Sequence, residues 1–254
     1  MNRRLVLVRH GQTDYNKSGR MQGQLDTPLS AEGIAEAKSV ASQIGEWDVS
    51  AVYSSDLTRA VDTARILADA WGLEVKTDRR LRETDLGDWT GASHEEVDHN
   101  YPGQRAYWRH APNWAPPNAE TRVEVATRAH SLVNELMETD VFDRGMVVMV
   151  AHGGTIGALT AQLLELPISH FSMFSGLGNV RWSQLMARQK FYGEGATMSP
   201  PAIDGSTVPH VPKKDRQWWK DPHWHLEGWN MSAAPGKAPV QTASPDEGGE
   251  DNLA

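Results

Sequence analysis

Residues 3–11 read Arg3-Arg4-Leu5-Val6-Leu7-Val8-Arg9-His10-Gly11. Four consecutive apolar residues between charged ends are the pattern of a short strand buried on both faces. Such strands belong to parallel sheets covered by helices. The same pattern returns at Ala51-Val52-Tyr53 and at Met146-Val147-Val148-Met149-Val150. A last strand is expected over Val180–Met186.

Between these runs the period changes to that of helices. Ser30 is a candidate N-cap, followed by Ile34, Ala37, Ala41 and Ile44, with Gly45 as a stop. Asp56 is a candidate cap for a second helix carrying Leu57, Ala60, Val61, Ala64, Leu67, Ala68 and Trp71, ended by Gly72. A third runs over Thr121–Glu138 and a fourth follows Gly154. Strands alternating with helices predict an α/β fold: a three-layer α/β/α sandwich around a mostly parallel sheet.

In open parallel sheets ligands collect beyond the carboxyl ends of strands. Arg9-His10-Gly11 follows the first run. Ser54-Ser55-Asp56 follows the second, with Arg59 in the next helical turn. Ala151-His152-Gly153-Gly154 follows the third. Taken singly, each has a bland reading: a capping His, a solvated Arg, a Gly-Gly turn. Those readings do not predict that two His and two Arg meet at one sheet edge. Arg forks, imidazoles and helix N-termini together suit a phosphoryl group.

The 254-residue chain has no cysteine and a formal net charge of −8. Without Cys there is no disulfide, thiolate metal site or Cys nucleophile. The acidic balance argues against nucleic acid or an anionic membrane as partner. A small anionic substrate needs only a local basic pocket. The apolar run Leu5–Val8 is too short for a signal peptide, whose core spans roughly 7–15 residues, or for a membrane helix of roughly 20. The expected compartment is the cytoplasm.

Four ordered motifs carry a family resemblance. They are Arg9-His10-Gly11-Gln12-Thr13 with Asn16 and Gln22-Gly23; Ser54-Ser55-Asp56-Leu57-Thr58-Arg59-Ala60; Leu81-Arg82-Glu83 with Gly87-Asp88-Trp89-Thr90-Gly91; and Ala151-His152-Gly153-Gly154. Over residues 3–187 the chain resembles the histidine phosphatase superfamily, with its phosphoglycerate-mutase-like fold. The resemblance implies that His10 is the nucleophile and forms a phosphohistidine. Arg9, Arg59 and His152 would form the phosphate pocket, with Asn16 and Gln22 at its rim. Glu83 would protonate the leaving oxygen and later activate water. Those roles require a neutral imidazole whose second nitrogen is held by a backbone carbonyl, and a carboxylic acid near a poor leaving group. No cofactor and no metal are implied.

Within the superfamily, cofactor-dependent phosphoglycerate mutases carry Glu-Arg-His-Tyr-Gly where this chain has Glu83-Thr84-Asp85-Leu86-Gly87. This favours hydrolysis. Gly19–Asp26, Leu81–Trp89, Asn113–Pro116 and Gly176–Asn179 resemble the members that act on glucosyl-3-phosphoglycerate. Residues 92–120 would then form a lid. Tyr107, Trp108 and Trp114 would face the sugar, with Arg109 or Arg122 on the carboxylate and Glu120 nearby. The bland alternative is that these aromatics only close a small helical unit. Relatives carry Gly-Gly-Glu-Ser where this chain has Asn118-Ala119-Glu120-Thr121. Two rivals stay open: a mutase or broad-specificity phosphatase, and a non-catalytic phosphate-sensing module.

The composition changes near residue 190. A domain is expected over 1–190 and an extension over 191–254, its end from about 233 having the polar, Pro/Gly-rich composition of disorder. Trp218, Trp219, Trp224 and Trp229 in the extension require burial. That burial is against the chain's own domain, a sister subunit of a homodimer, or another protein.

Overall fold

The computed structural model describes residues 3–190 and 217–233. Six strands form one sheet in the order β3-β2-β4-β1-β5-β6. They are β1 (Arg3–Arg9), β2 (Val49–Ser54), β3 (Val75–Thr77), β4 (Met146–Ala151), β5 (Trp182–Gln189) and β6 (Pro222–Met231). The first four in that order are parallel; β5 is antiparallel to both β1 and β6. The helices are α1 (Asp14–Lys17), α2 (Ala31–Ile44), α3 (Thr58–Ala68), α4 (His94–Asn100), α5 (Gln104–His110), α6 (Arg122–Met137) and α7 (Gly153–Leu163).

The apolar runs read from sequence are the three central strands, and alternate side chains feed two cores. Leu5, Leu7, Val147 and Met149 pack under α6 and α7 with Leu132, Leu136, Ile156 and Leu159. Val6, Val8, Val52, Val148 and Val150 pack on the other face with Ala37, Ile44, Ala60, Ala64 and Leu67 of α2 and α3. The result is the expected three-layer sandwich.

Caps place the helices. The Ser30 hydroxyl accepts the Gly33 N–H at the start of α2. Thr121 and Glu124 form a capping box on α6. The expectation that Asp56 caps α3 is corrected: the N-cap is Leu57, without a side-chain bond. Asp56 instead meets Arg82, 26 residues on, through two 2.7 Å contacts. A bidentate, charge-assisted pair wins over a single capping bond.

β3 and β6 are absent from the sequence reading. β6 lies in the segment past residue 190 and completes the sheet edge against β5. Trp224 is 5% exposed and joins the core, with Trp218, Trp219 and Trp229 packed beside it. Arg3 lies over the rings of Trp218 and Trp219 at 5.7 and 5.1 Å. The expected disordered end falls, from residue 234 onward, outside the described residues. No helix among the described residues is long and apolar enough to cross a membrane.

Candidate active site

β1 and β4 are adjacent and parallel, with Arg9 opposite Ala151. The next residue on each strand is therefore a histidine. The His10 and His152 ring centroids lie 5.1 Å apart at 57°. The His10 N–H donates to the Ala151 carbonyl at 3.0 Å, which locks the two loops together.

The His10 ring is 3% exposed and its Nδ1 lies 2.7 Å from the Gly11 carbonyl. A carbonyl only accepts, so Nδ1 carries the proton and Nε2 keeps its lone pair. Burial, then the charges of Arg59 and Arg9, holds the His10 pKa well below its ordinary range. His152 is fully buried and is held down by the same causes, with His10 adding to them. Neither ring nitrogen of His152 has a hydrogen-bond partner among the described residues. Buried polar atoms of native proteins are nearly always satisfied, so such a pair marks a place where a ligand is expected.

Arg59 comes from the first turn of α3 and is 1% exposed. Its guanidinium donates to the Leu25 and Gly23 carbonyls at 2.7 and 2.8 Å. Burial pushes its pKa down to about 10, which leaves it charged. Arg9 donates to the Leu177 carbonyl and passes 3.7 Å from where a Cβ at Gly153 would lie. A side chain there would be in ordinary contact with the arginine.

Glu83 projects from the other side onto the start of α7. Its carboxylate accepts the N–H groups of Gly154 and Thr155, each at 3.2 Å, and that of Thr84 at 2.8 Å. The sequence reading left those α7 amides for an incoming anion; here the chain's own carboxylate takes them. A Cβ on Gly154 would sit 2.6 Å from Glu83 Oε1, so only glycine permits this approach.

Asn16 and Gln22 share Thr13. The Thr13 hydroxyl lies 3.1 Å from Asn16 Oδ1 and 3.0 Å from Gln22 Oε1. Both are therefore tied to Thr13, three residues after His10.

The remaining candidates make contacts of their own. Trp108 and Trp114 pack on fully buried Trp89 at centroid distances of 5.9 and 6.0 Å. The Arg122 guanidinium lies 4.6 Å over Trp108 and donates to the Arg109 carbonyl. Tyr107 is 59% exposed. The Glu120 carboxylate binds Arg128 at 2.9 and 3.0 Å and accepts the Asp85 N–H at 2.9 Å.

Sequence reasoning missed Arg128. It also donates to the Arg80 and Glu83 carbonyls at 2.7 and 3.0 Å, so it clamps the loop that carries Glu83. On a helix face it reads as one solvated arginine among others. Asn118, where the family resemblance leads one to expect glycine, adopts φ 61°. Asn is among the few residues that tolerate this region, so the turn survives the replacement. Among the described residues, no group of three His, Asp or Glu side chains could hold a metal ion.

The sequence profile of the histidine phosphatase superfamily (branch 1) matches residues 5–194. The chain belongs to the histidine phosphatase superfamily. A glucosyl-3-phosphoglycerate phosphatase of Mycobacterium tuberculosis (strain H37Rv) is 50% identical over 238 residues, covering 91% of this chain and 96% of the relative. One from Mycolicibacterium vanbaalenii is 44% identical over 236 residues, with the same coverage. A solved mycobacterial glucosyl-3-phosphoglycerate phosphatase in complex with VO3 superposes with a TM-score of 0.76 at 41% identity, covering 91% of this chain and 100% of that one. In this histidine phosphatase the sheet order and the two-histidine strand edge thus sit on a fold shared with solved relatives.

Proposed function

We propose that this histidine phosphatase hydrolyses glucosyl-3-phosphoglycerate to glucosylglycerate and phosphate through a phosphohistidine, with the cytoplasm as its compartment. One observation carries the reading. In a chain aligned nearly end to end with phosphatases named for that substrate, a tautomer-locked, neutral His10 faces a buried His152 whose nitrogens have no partner among the described residues.

In the first step His10 Nε2 attacks phosphorus, the N–P bond forms and the ester P–O bond breaks. Glu83 delivers a proton to the departing glycerate oxygen. Arg9, Arg59 and His152 bear on the phosphoryl oxygens, where planar arginine donors match spread charge. Asn16 and Gln22 hold the rim. In the second step water attacks phosphorus, the N–P bond breaks and Glu83 takes the water's proton. His10 then returns to its starting tautomer. Keeping both imidazoles neutral matters because a protonated nucleophile has no lone pair to offer.

Phosphate release measured on glucosyl-3-phosphoglycerate, 3-phosphoglycerate and p-nitrophenyl phosphate tests the reading. We expect the highest kcat/KM on the glucosyl ester. Equal values on all three would remove the substrate and leave the class. Absence of release from any of them would favour the sensing module.

A further inference from the structure

The last strand reaches the pocket from behind. Between β5 and β6 the register runs Trp182 opposite Met231 and Gln184 opposite Gly228. β6 therefore carries one extra residue there: Trp229 and Asn230 stand against Ser183 alone. Bulges of this kind bend an edge strand and re-aim its side chains. Asn230 sits at φ 54°, and its Oδ1 accepts the Gly178 N–H at 3.0 Å. The Trp229 indole N–H donates to the Ser175 carbonyl at 3.0 Å, and the ring packs on Phe174 at 4.6 Å.

The turn held in this way, residues 174–180, is the one that touches the site. The Leu177 carbonyl accepts from Arg9. The Asn179 amide donates to the His10 carbonyl at 2.9 Å and lies 3.4 Å from Asn16 Oδ1. The turn is also strained, because Val180 adopts φ 52°, a genuine outlier for a β-branched residue. Strain of this kind persists only where the surroundings over-determine it. Val180 is 2% exposed, its N–H donates to the Arg9 carbonyl, and Asn230 fixes the same turn two residues earlier.

We propose that the Trp229–Asn230 bulge is a positioning element of the phosphate pocket. Through Gly178 and Ser175 it fixes the strained turn that sets Arg9 and the backbone of His10. The proposal rests on the phosphatase reading for the roles of Arg9 and His10.

The test uses the full chain and three proteins. Asn230→Gly keeps the positive φ and deletes the acceptor. Asn230→Asp keeps both. Binding of vanadate and of inorganic phosphate is measured by calorimetry, beside KM, kcat and the thermal midpoint. Losing the hydrogen bond that holds the turn at Gly178 should weaken both anions about tenfold in Asn230→Gly. KM should rise with them, and kcat should stay within about threefold, as for lost uniform binding. Asn230→Asp should bind within about threefold of the parent. A merely structural role would lower the midpoint and leave anion affinity unchanged, and that result overturns the proposal. So does an Asn230→Asp variant as weak as Asn230→Gly. Anion binding is read without turnover. A chain that binds vanadate but does not cleave glucosyl-3-phosphoglycerate would therefore fail the substrate reading alone.

Discussion

The strand-end pocket and the aromatic cluster beneath α4 and α5 are both rich in rings, yet those rings keep different company. In the pocket, the His10 and His152 rings lie under the charges of Arg59 and Arg9. In the cluster, Trp89, Tyr101, Trp108 and Trp114 spend their faces on one another, with centroids 5.9 to 6.0 Å apart. Both regions keep buried nitrogens without a hydrogen-bond partner among the described residues, His152 Nδ1 and Nε2 in the pocket and Trp89 Nε1 and Trp108 Nε1 in the cluster. Burial alone does not separate a site from a core. Nor does an unpaired polar atom; the convergence of two imidazoles with guanidinium charge does.

If that contrast is right, substitutions in the pocket change rate and substitutions in the cluster change stability. The largest effect belongs to His10→Ala, which should lower kcat by about 10³-fold or more, with a thermal midpoint close to that of the parent. Substantial phosphate release by the purified variant would break the nucleophile assignment. Glu83→Gln comes next, with a loss of about 10²–10⁴ on glucosyl-3-phosphoglycerate. The loss should shrink on p-nitrophenyl phosphate, whose leaving group needs no proton. An equal loss on both esters would assign Glu83 to holding the α7 terminus rather than to proton transfer.

Trp89→Ala attacks the other side of the comparison. Emptying a fully buried indole site should cost about 3–5 kcal/mol, read as a midpoint roughly 10 °C lower. The folded fraction should retain most of its kcat. A collapse of kcat at unchanged stability would join the cluster to the site.

A smaller effect is expected with pH. Both site imidazoles have pKa values well below the ordinary His range because burial and Arg charges oppose protonation. In the unfolded chain the same rings take up protons near pH 6.5. Below that pH the unfolded state binds more protons, so stability is lost as pH falls. The thermal midpoint should drop between about pH 7 and 5.5. A His10→Ala/His152→Ala variant should drop less over the same interval. The depressed carboxylates of Asp56, Asp78 and Asp98 act in the same direction only at lower pH, near their own titration.

Much of this was readable from residue order. His10 and His152 were found because each ends a continuous apolar run, and such a run needs only four or five residues to be recognised. β3 was missed because three residues carry too little pattern. β6 was missed because Pro222–Met231 mixes His, Glu and Trp on an edge strand, where one side of the ladder faces no neighbour and apolar alternation is not required. Asp56 was misread because its partner Arg82 is distant in sequence, and local capping rules see only a few residues ahead. Arg128 and Asn230 act wholly through contacts of that distant kind. The turn at Asn118 shows the reverse: a departure from the family pattern that residue type could explain, since asparagine and glycine share a backbone region.

Arg9 stands opposite Ala151 on neighbouring parallel strands. Parallel strands lie about 4.7–4.9 Å apart, whatever their side chains. The 5.1 Å between the two imidazoles is thus close to one rung of the peptide ladder. The gap behaves as a gauge cut into the main chain. Selection can change what lies above the two rings and thereby the substrate, while the backbones that carry them stay one rung apart.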